Sequence, residues 1–379
     1  MNRALNSLKN IRKKHLLFYI LVTCCFISSI LFVNNNYDFY EQPIAKVTEA
    51  KVAKTNEVVD MYDNKDQIFT QHLIAQLKNG EKKGQLVRLT NDYSTSKAYD
   101  QEYQIGDELF ISLESTSKKG EQWTGSIKDV KRDKYVLMVS WIFIFILLLV
   151  GRKQGLFSIV SLAINATLLS YALDVYLKTA SISLLVACSI SAILFTAISL
   201  LMVNGFNEKT YAAIIATLLG TFASLLITYV VMLLTNEKGL QYEEMQFLTR
   251  PAQVVFMAGI LIGSLGAVMD VAITMSSSIF GLYEKNKNIS LKALKTSGMD
   301  IGKDIMGTMT NILFFVYISG SIPMLLLYLK NGSPLMFTLS MNLSLEMARA
   351  LAGGIGIVLT IPIGVYTSIF FINRKRARS

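Results

Sequence analysis

GILIGSLGAVMDVAITMSSS, residues 259–278, and SGMDIGKDIMGTMTN, residues 297–311, are the stretches on which the reading of this chain turns. In the first, Gly259, Gly263, Gly266, Asp270, Thr274 and Ser277 recur at the spacing of one face of a 3.6-residue helix, and apolar side chains fill the other faces. In the second, Asp300, Asp304, Thr308 and Asn311 repeat the pattern. A carboxylate that faces lipid is costly, so two apolar helices each bearing one small, acidic stripe point to a packed polar contact within a membrane.

The whole chain agrees with that setting. It has 379 residues, 52% of them hydrophobic, and the apolar residues fall in long blocks, as in a polytopic α-helical membrane protein. The formal net charge of +10 is not a nucleic-acid signal, because the bases cluster at the ends of apolar blocks instead of alternating with stacking aromatics. Cys24, Cys25 and Cys188 all lie in apolar runs, and His15 and His72 are the only histidines. No disulfide framework, metal-ligand set, phosphate-binding loop or nucleophile elbow is present, so no enzyme activity and no cofactor are expected.

About eight membrane spans are expected, at residues 16–33, 135–151, 155–177, 180–204, 210–234, 252–282, 305–329 and 349–373. Residues 1–33 then form a tail and first helix, 34–133 a soluble segment, and 134–379 a seven-helix membrane domain. The soluble segment has short alternating runs at 69–77, 85–89, 108–113 and 123–130, broken by Asn79-Gly80, Gly106-Asp107 and Gly120, which predicts a small all-β barrel or sandwich. Bases at Arg3 to Lys14, Arg152 and Lys153, Lys209, Lys285 to Lys303, and Arg374 to Arg378 outnumber those of the alternate loops. That bias puts both termini in the cytoplasm and the β domain outside.

The 252–282 span would run about 46 Å as a straight helix, against a hydrocarbon core of about 30 Å. Counting from Pro251 and from the lysine cluster sets Asp270 and Asp304 toward the inner side, where they can meet at the mouth of the helix pair. Gly259 and Gly263 allow close helix approach, and Asp300 and Asp304 also suit a first helical turn. Residues 289–299 read as a short amphipathic segment on the inner surface, and Pro323 predicts a kink or break. On the last span Asn342, Glu346, Arg349, Gly353 and Thr360 share a face, with Glu346 and Arg349 spaced to pair.

The run GAVMDVAITMSSS, the run SGMDIGKDIMGTMTN with Gly320-Ser321-Ile322-Pro323 beyond it, and residues 342–356 resemble the YibE/F family of bacterial membrane proteins. LKNGEKKGQLV and YQIGDELF in the β segment extend the resemblance over nearly the whole chain. Ile312 departs from it, since the family pattern has Thr after this Asn. The resemblance implies a multi-pass protein of the bacterial cell membrane, loosely described as a permease, with no substrate specified.

The leading functional expectation is a permease or efflux protein with a polar path lined by Asp270, Asp304, Thr308 and Asn311, supported by Gly259, Gly263, Gly266, Asp300, Glu346 and Arg349, and coupled to a proton or cation. The alternative is a non-transporting receptor or assembly scaffold whose β domain binds a peptide or envelope component. An intramembrane aspartyl protease built on Asp270 and Asp304 is a third option, for which the flanking motifs are absent. The partners named by these readings are the lipid bilayer, the proton or cation, the envelope component and a second copy of the chain.

Overall fold

The computed structural model describes residues 20–97, 100–114, 123–179, 182–245 and 249–377. The bases Arg3 to Lys14, the first residues of the 16–33 span, the Gly120 turn and Arg378 lie outside the described residues. The chain forms two compact units, residues 1–146 and 147–379.

The first unit contains helix α1 (Ile20–Asn35), strands β1 (Ile44–Val59), β2 (Lys65–Leu77), β3 (Leu86–Ser94), β4 (Glu108–Leu113) and β5 (Trp123–Val130), and the start of α2 (Asp133–Lys178). The strands close into a barrel in the order β1-β2-β3-β5-β4, antiparallel except for the parallel pair β3–β5. This is the five-stranded Greek-key arrangement of OB-type barrels. Its core is set by alternation: Leu73, Ala75 and Leu77 of β2, Val87 and Leu89 of β3, and Leu109 and Ile111 of β4 point inward. β1 escapes the sequence reading because it alternates only at its start. Beyond Val47 it is exposed on nearly all residues and carries irregular register at Val47/Glu49 and Val52/Lys54.

The barrel is tied to α1 and α2 by a buried charge network. Lys131 is 1% exposed, and its Nζ lies 3.3 Å from Glu108 and 3.0 Å from Asp133 while donating to the Val33 carbonyl at 2.9 Å. The Tyr37 hydroxyl donates to Glu108 at 2.6 Å, and Tyr40 and Asn36 donate to Asp133. Burial, followed by the Glu108 contact, pushes the Tyr37 phenol above its ordinary pKa. Asn79, a turn residue in the sequence, is a hub: its side chain accepts from the Ile44 amide and donates to the carbonyls of Tyr37, Tyr40 and Gln42.

In α2 the helical path breaks at Arg152, with φ 47° and ψ −119°. That conformation is normally glycine's. Gly155 follows because a Cβ there would run into the Leu147 carbonyl. Next come α3 (Leu184–Asn204), α4 (Glu208–Thr235), α5 (Ala252–Lys285), α6 (Leu291–Lys330) and α7 (Leu335–Arg376). Among the described residues, α2 to α7 are six helices long and apolar enough to cross a membrane, and α1 is a shorter apolar helix.

α5 is packed by α3, α4, α6 and α7, and α7 also contacts α4 and α6. Small residues permit this: Leu313 fills the space a side chain at Gly353 would need, Ile361 that of Gly302, Ile279 that of Gly298, and Thr360 that of Gly220.

Four expectations are corrected here. α6 and α7 begin at Leu291 and Leu335, well before residues 305 and 349. The amphipathic segment is therefore the start of α6, capped by Ser290, and its Leu294 is buried in protein, not laid on a lipid surface. Asp300 and Asp304 consequently sit in the third and fourth turns, beyond the first-turn dipole site. α6 also runs through Pro323 without a break.

Two stability outcomes follow. Lys131→Met leaves buried Glu108 and part-buried Asp133 without their cation and lowers stability by about 3–5 kcal/mol; Trp123 fluorescence in a Trp141→Phe background reads the loss, and an unchanged melting temperature would refute it. Arg152→Gly relieves the break and raises stability by about 1 kcal/mol in thermal melts of the detergent-solubilised protein.

Candidate functional site

α5 is among the most enclosed helices of the second unit, yet one narrow strip of it is open. Gly259, Gly263, Gly266 and Asp270 are exposed and Thr274 and Ser277 half-buried, while Phe256, Ile260, Leu261, Leu265, Val268, Val271, Met275 and Ile279 are buried. The stripe legible in the sequence is thus the one face of α5 that its neighbours leave uncovered. Asp270 has no hydrogen-bond or ion-pair partner among the described residues.

The cover over this stripe varies along its length. At Gly259 the place of a side chain is 3.7 Å from Arg349 Nε. At Gly263 it is taken by the Tyr317 hydroxyl. At Gly266, and further along at Gly281, nothing lies within 4 Å. One end of the stripe is therefore overlaid by side chains of α6 and α7, and the rest is open.

The covering groups form a small cluster of their own. Arg349 pairs with Glu346, and both side chains are about four-fifths buried, at 19% and 23% exposed. The guanidinium also stands 5.3 Å from the centre of the Phe256 ring, a cation–π contact. The Tyr317 hydroxyl is buried with no hydrogen-bond partner, as is that of Thr310. Buried hydroxyls without protein partners are the sites that water occupies.

At the other end the stripe runs into a cavity of about 260 Å³ lined by Asn207, Glu208, Lys209, Ser277, Phe280, Gly281, Glu284 and Lys375. Asn207 caps α4 by accepting from the Thr210 amide, which fixes Glu208 in the first turn. Glu208 Oε2 is buried without a hydrogen bond and lies 3.9 Å from Lys375 Nζ.

The structure does not bring the second predicted stripe to the first. On α6, Leu294, Gly298, Gly302 and Leu313 face the protein, whereas Asp300, Asp304, Thr308 and Asn311 are exposed on the opposite face. Asp300 pairs with Lys303 at 3.0 Å; Asp304 has no such partner among the described residues. Ile312, where the family pattern suggested Thr, is likewise exposed. The structure does join Gly259 and Gly263 to Arg349 and Tyr317. Sequence reasoning missed Tyr317, Glu208 and Glu284: Tyr317 sits in an apolar run, and only the antiparallel packing of α6 sets it against Gly263. Asn342 is buried and donates to the Thr338 carbonyl one turn back, and Thr360 is buried opposite Gly220.

A family model for YibE/F-like proteins matches residues 139–374, and one for the YibE/F family N-terminal domain matches residues 38–130. The chain belongs to the YibE/F family. No curated protein and no solved structure matches it. Family membership and the apolar helices together mark a multi-pass membrane protein whose N-terminal family domain is the five-stranded barrel.

The contact at Gly263 gives a direct check. Gly263→Ala drives a methyl group into the Tyr317 hydroxyl and lowers the melting temperature of the purified protein, while Tyr317→Phe in the same chain restores most of the loss. Equal losses with and without Tyr317→Phe would mean that the two residues do not touch.

Proposed function

We propose that this protein is a permease, without enzyme activity, whose polar path follows the exposed stripe of α5, with Asp270 carrying a proton or small cation. The observation that supports it is the single uncovered strip on an otherwise enclosed helix: glycines, a threonine and serine hydroxyl, and a carboxylate without a partner among the described residues. A charged group held against hydrocarbon is costly, so this strip is stable only against water or another polar surface. In this reading the chain crosses the membrane eight times, as α1, the two parts of α2 on either side of Arg152, and α3 to α7. The lysine- and arginine-rich ends of α5 and α7 are cytoplasmic, the barrel lies outside a bacterial cell membrane, and the cavity beside Glu208, Glu284 and Lys375 is the inner vestibule.

Asp304, Thr308 and Asn311 make a separate polar face on α6 and are not part of the α5 path. The test uses proteoliposomes with an entrapped pH dye and an imposed potential. Asp270→Asn is expected to cut ion or proton flux at least about tenfold, and Asp304→Asn to leave it nearly unchanged. Wild-type flux in Asp270→Asn would end the proposal.

A second reading, a non-transporting receptor or scaffold, draws on the β1–β2 hairpin. Among the described residues, β2 is the only strand paired with β1 beyond Lys46, and the hairpin exposes Val52, Val58, Val59, Met61 and Tyr62. Deleting residues 40–130 separates the two: a permease retains basal flux, whereas a receptor loses binding of its peptide or envelope partner.

A further inference from the structure

The stripe is overlaid by side chains at one end and open along the rest, and Tyr317, whose hydroxyl lies over Gly263, is not among the residues the sequence marked. We propose that Tyr317 is the gate of the α5 path and sets the size of what passes; this rests on the permease reading above. Three observations converge. The Tyr317 hydroxyl occupies the space above Gly263, so the end of the ring reaches over the stripe. Arg349 reaches to 3.7 Å from the place of a side chain at the next glycine outward, Gly259, and is held there by Glu346 and the Phe256 ring. One turn inward, at Gly266, the stripe is uncovered, and it stays accessible past Asp270 to the cavity.

The physical logic is that of a side-chain plug. A tyrosine ring anchored by a hydrogen bond is expensive to move, because rotation strands its buried hydroxyl. Here the hydroxyl has no hydrogen-bond partner to lose among the described residues. It is held by packing against a glycine backbone, so a rotamer change of Tyr317 opens the stripe without breaking a polar contact. Glycine at 263 is what lets the ring close fully; any side chain there would prop it away. The Arg349–Glu346 pair sits on α7 at the outer end of the stripe, next to Gly259.

The test is side-specific thiol labelling of the full chain. In a background with Cys24, Cys25 and Cys188 changed to Ala, Gly266→Cys sets a thiol just inside the ring, where a Cβ meets no other atom. A membrane-impermeant methanethiosulfonate is applied to membrane vesicles of each orientation. With Tyr317 intact, Gly266→Cys reacts from the side of Lys285 and Lys375 and at least about tenfold more slowly from the side of Arg349. Tyr317→Ala raises the slow rate at least about tenfold, and Tyr317→Phe, which keeps the ring, leaves it slow. Tyr317→Leu takes the place of the alanine variant if that variant does not fold. The gate is overturned if the thiol already reacts freely from the Arg349 side, or if neither truncation changes that rate. A thiol unreactive from both sides in every variant would instead overturn the path itself, and the gate with it.

Discussion

The membrane unit depends on side chains of one helix filling the space above glycines of another. Leu313 sits over Gly353, Ile361 over Gly302, Ile279 over Gly298 and Thr360 over Gly220. Lipid tails are as apolar as leucine, so burial from water does not drive helices together within a bilayer; close van der Waals contact does. Each such glycine brings two backbones nearer than a Cβ would allow. The result is α7 set against α4, α5 and α6, and α5 enclosed on every side but one.

The uncovered side gives the site its character. A helix enclosed this well has room for an exposed strip only where its residues are too small or too polar to be covered by an apolar neighbour. Gly259, Gly263 and Gly266 keep the strip shallow, and Asp270 forbids lipid. Tyr317 and Arg349 then differ from other residues of the same unit in reaching over the strip and not away from it. The barrel unit solves a different problem. Lys131 is taken out of water among Glu108, Asp133 and the Val33 carbonyl, an arrangement that survives only because every charge has an opposite partner. Its effect is to fix the barrel's last strand, the end of α1 and the start of α2 to one another.

Legibility from sequence varied by element. β2, β4 and β5 follow from alternation, and β4 and β5 match the expected limits. β1 does not, because the greater part of it has no buried face and hence no pattern to detect. The starts of α6 and α7 lie several turns before the expected limits because polar residues interrupt the apolar run, Lys292, Lys295, Asp300 and Asp304 in α6 and Asn342, Glu346 and Arg349 in α7, and a hydropathy reading ends a span where the lipid ends. Both helices continue into protein contact instead: Leu294 packs against the α5 side, and Thr338 and Asn342 are buried.

What the residues determined alone was local and periodic. Spacing along the chain dictated that Gly259, Gly263, Gly266 and Asp270 share a face, that Asp304, Thr308 and Asn311 share another, and that Glu346 and Arg349 can pair, because a helix has one pitch. Tertiary structure alone decided which faces meet. Helical periodicity says nothing about rotation of one helix relative to the next, and that rotation is set by which glycine receives which side chain. It turned the α6 stripe away from α5, brought Tyr317 to Gly263, and left Asp270 exposed on the uncovered strip of α5.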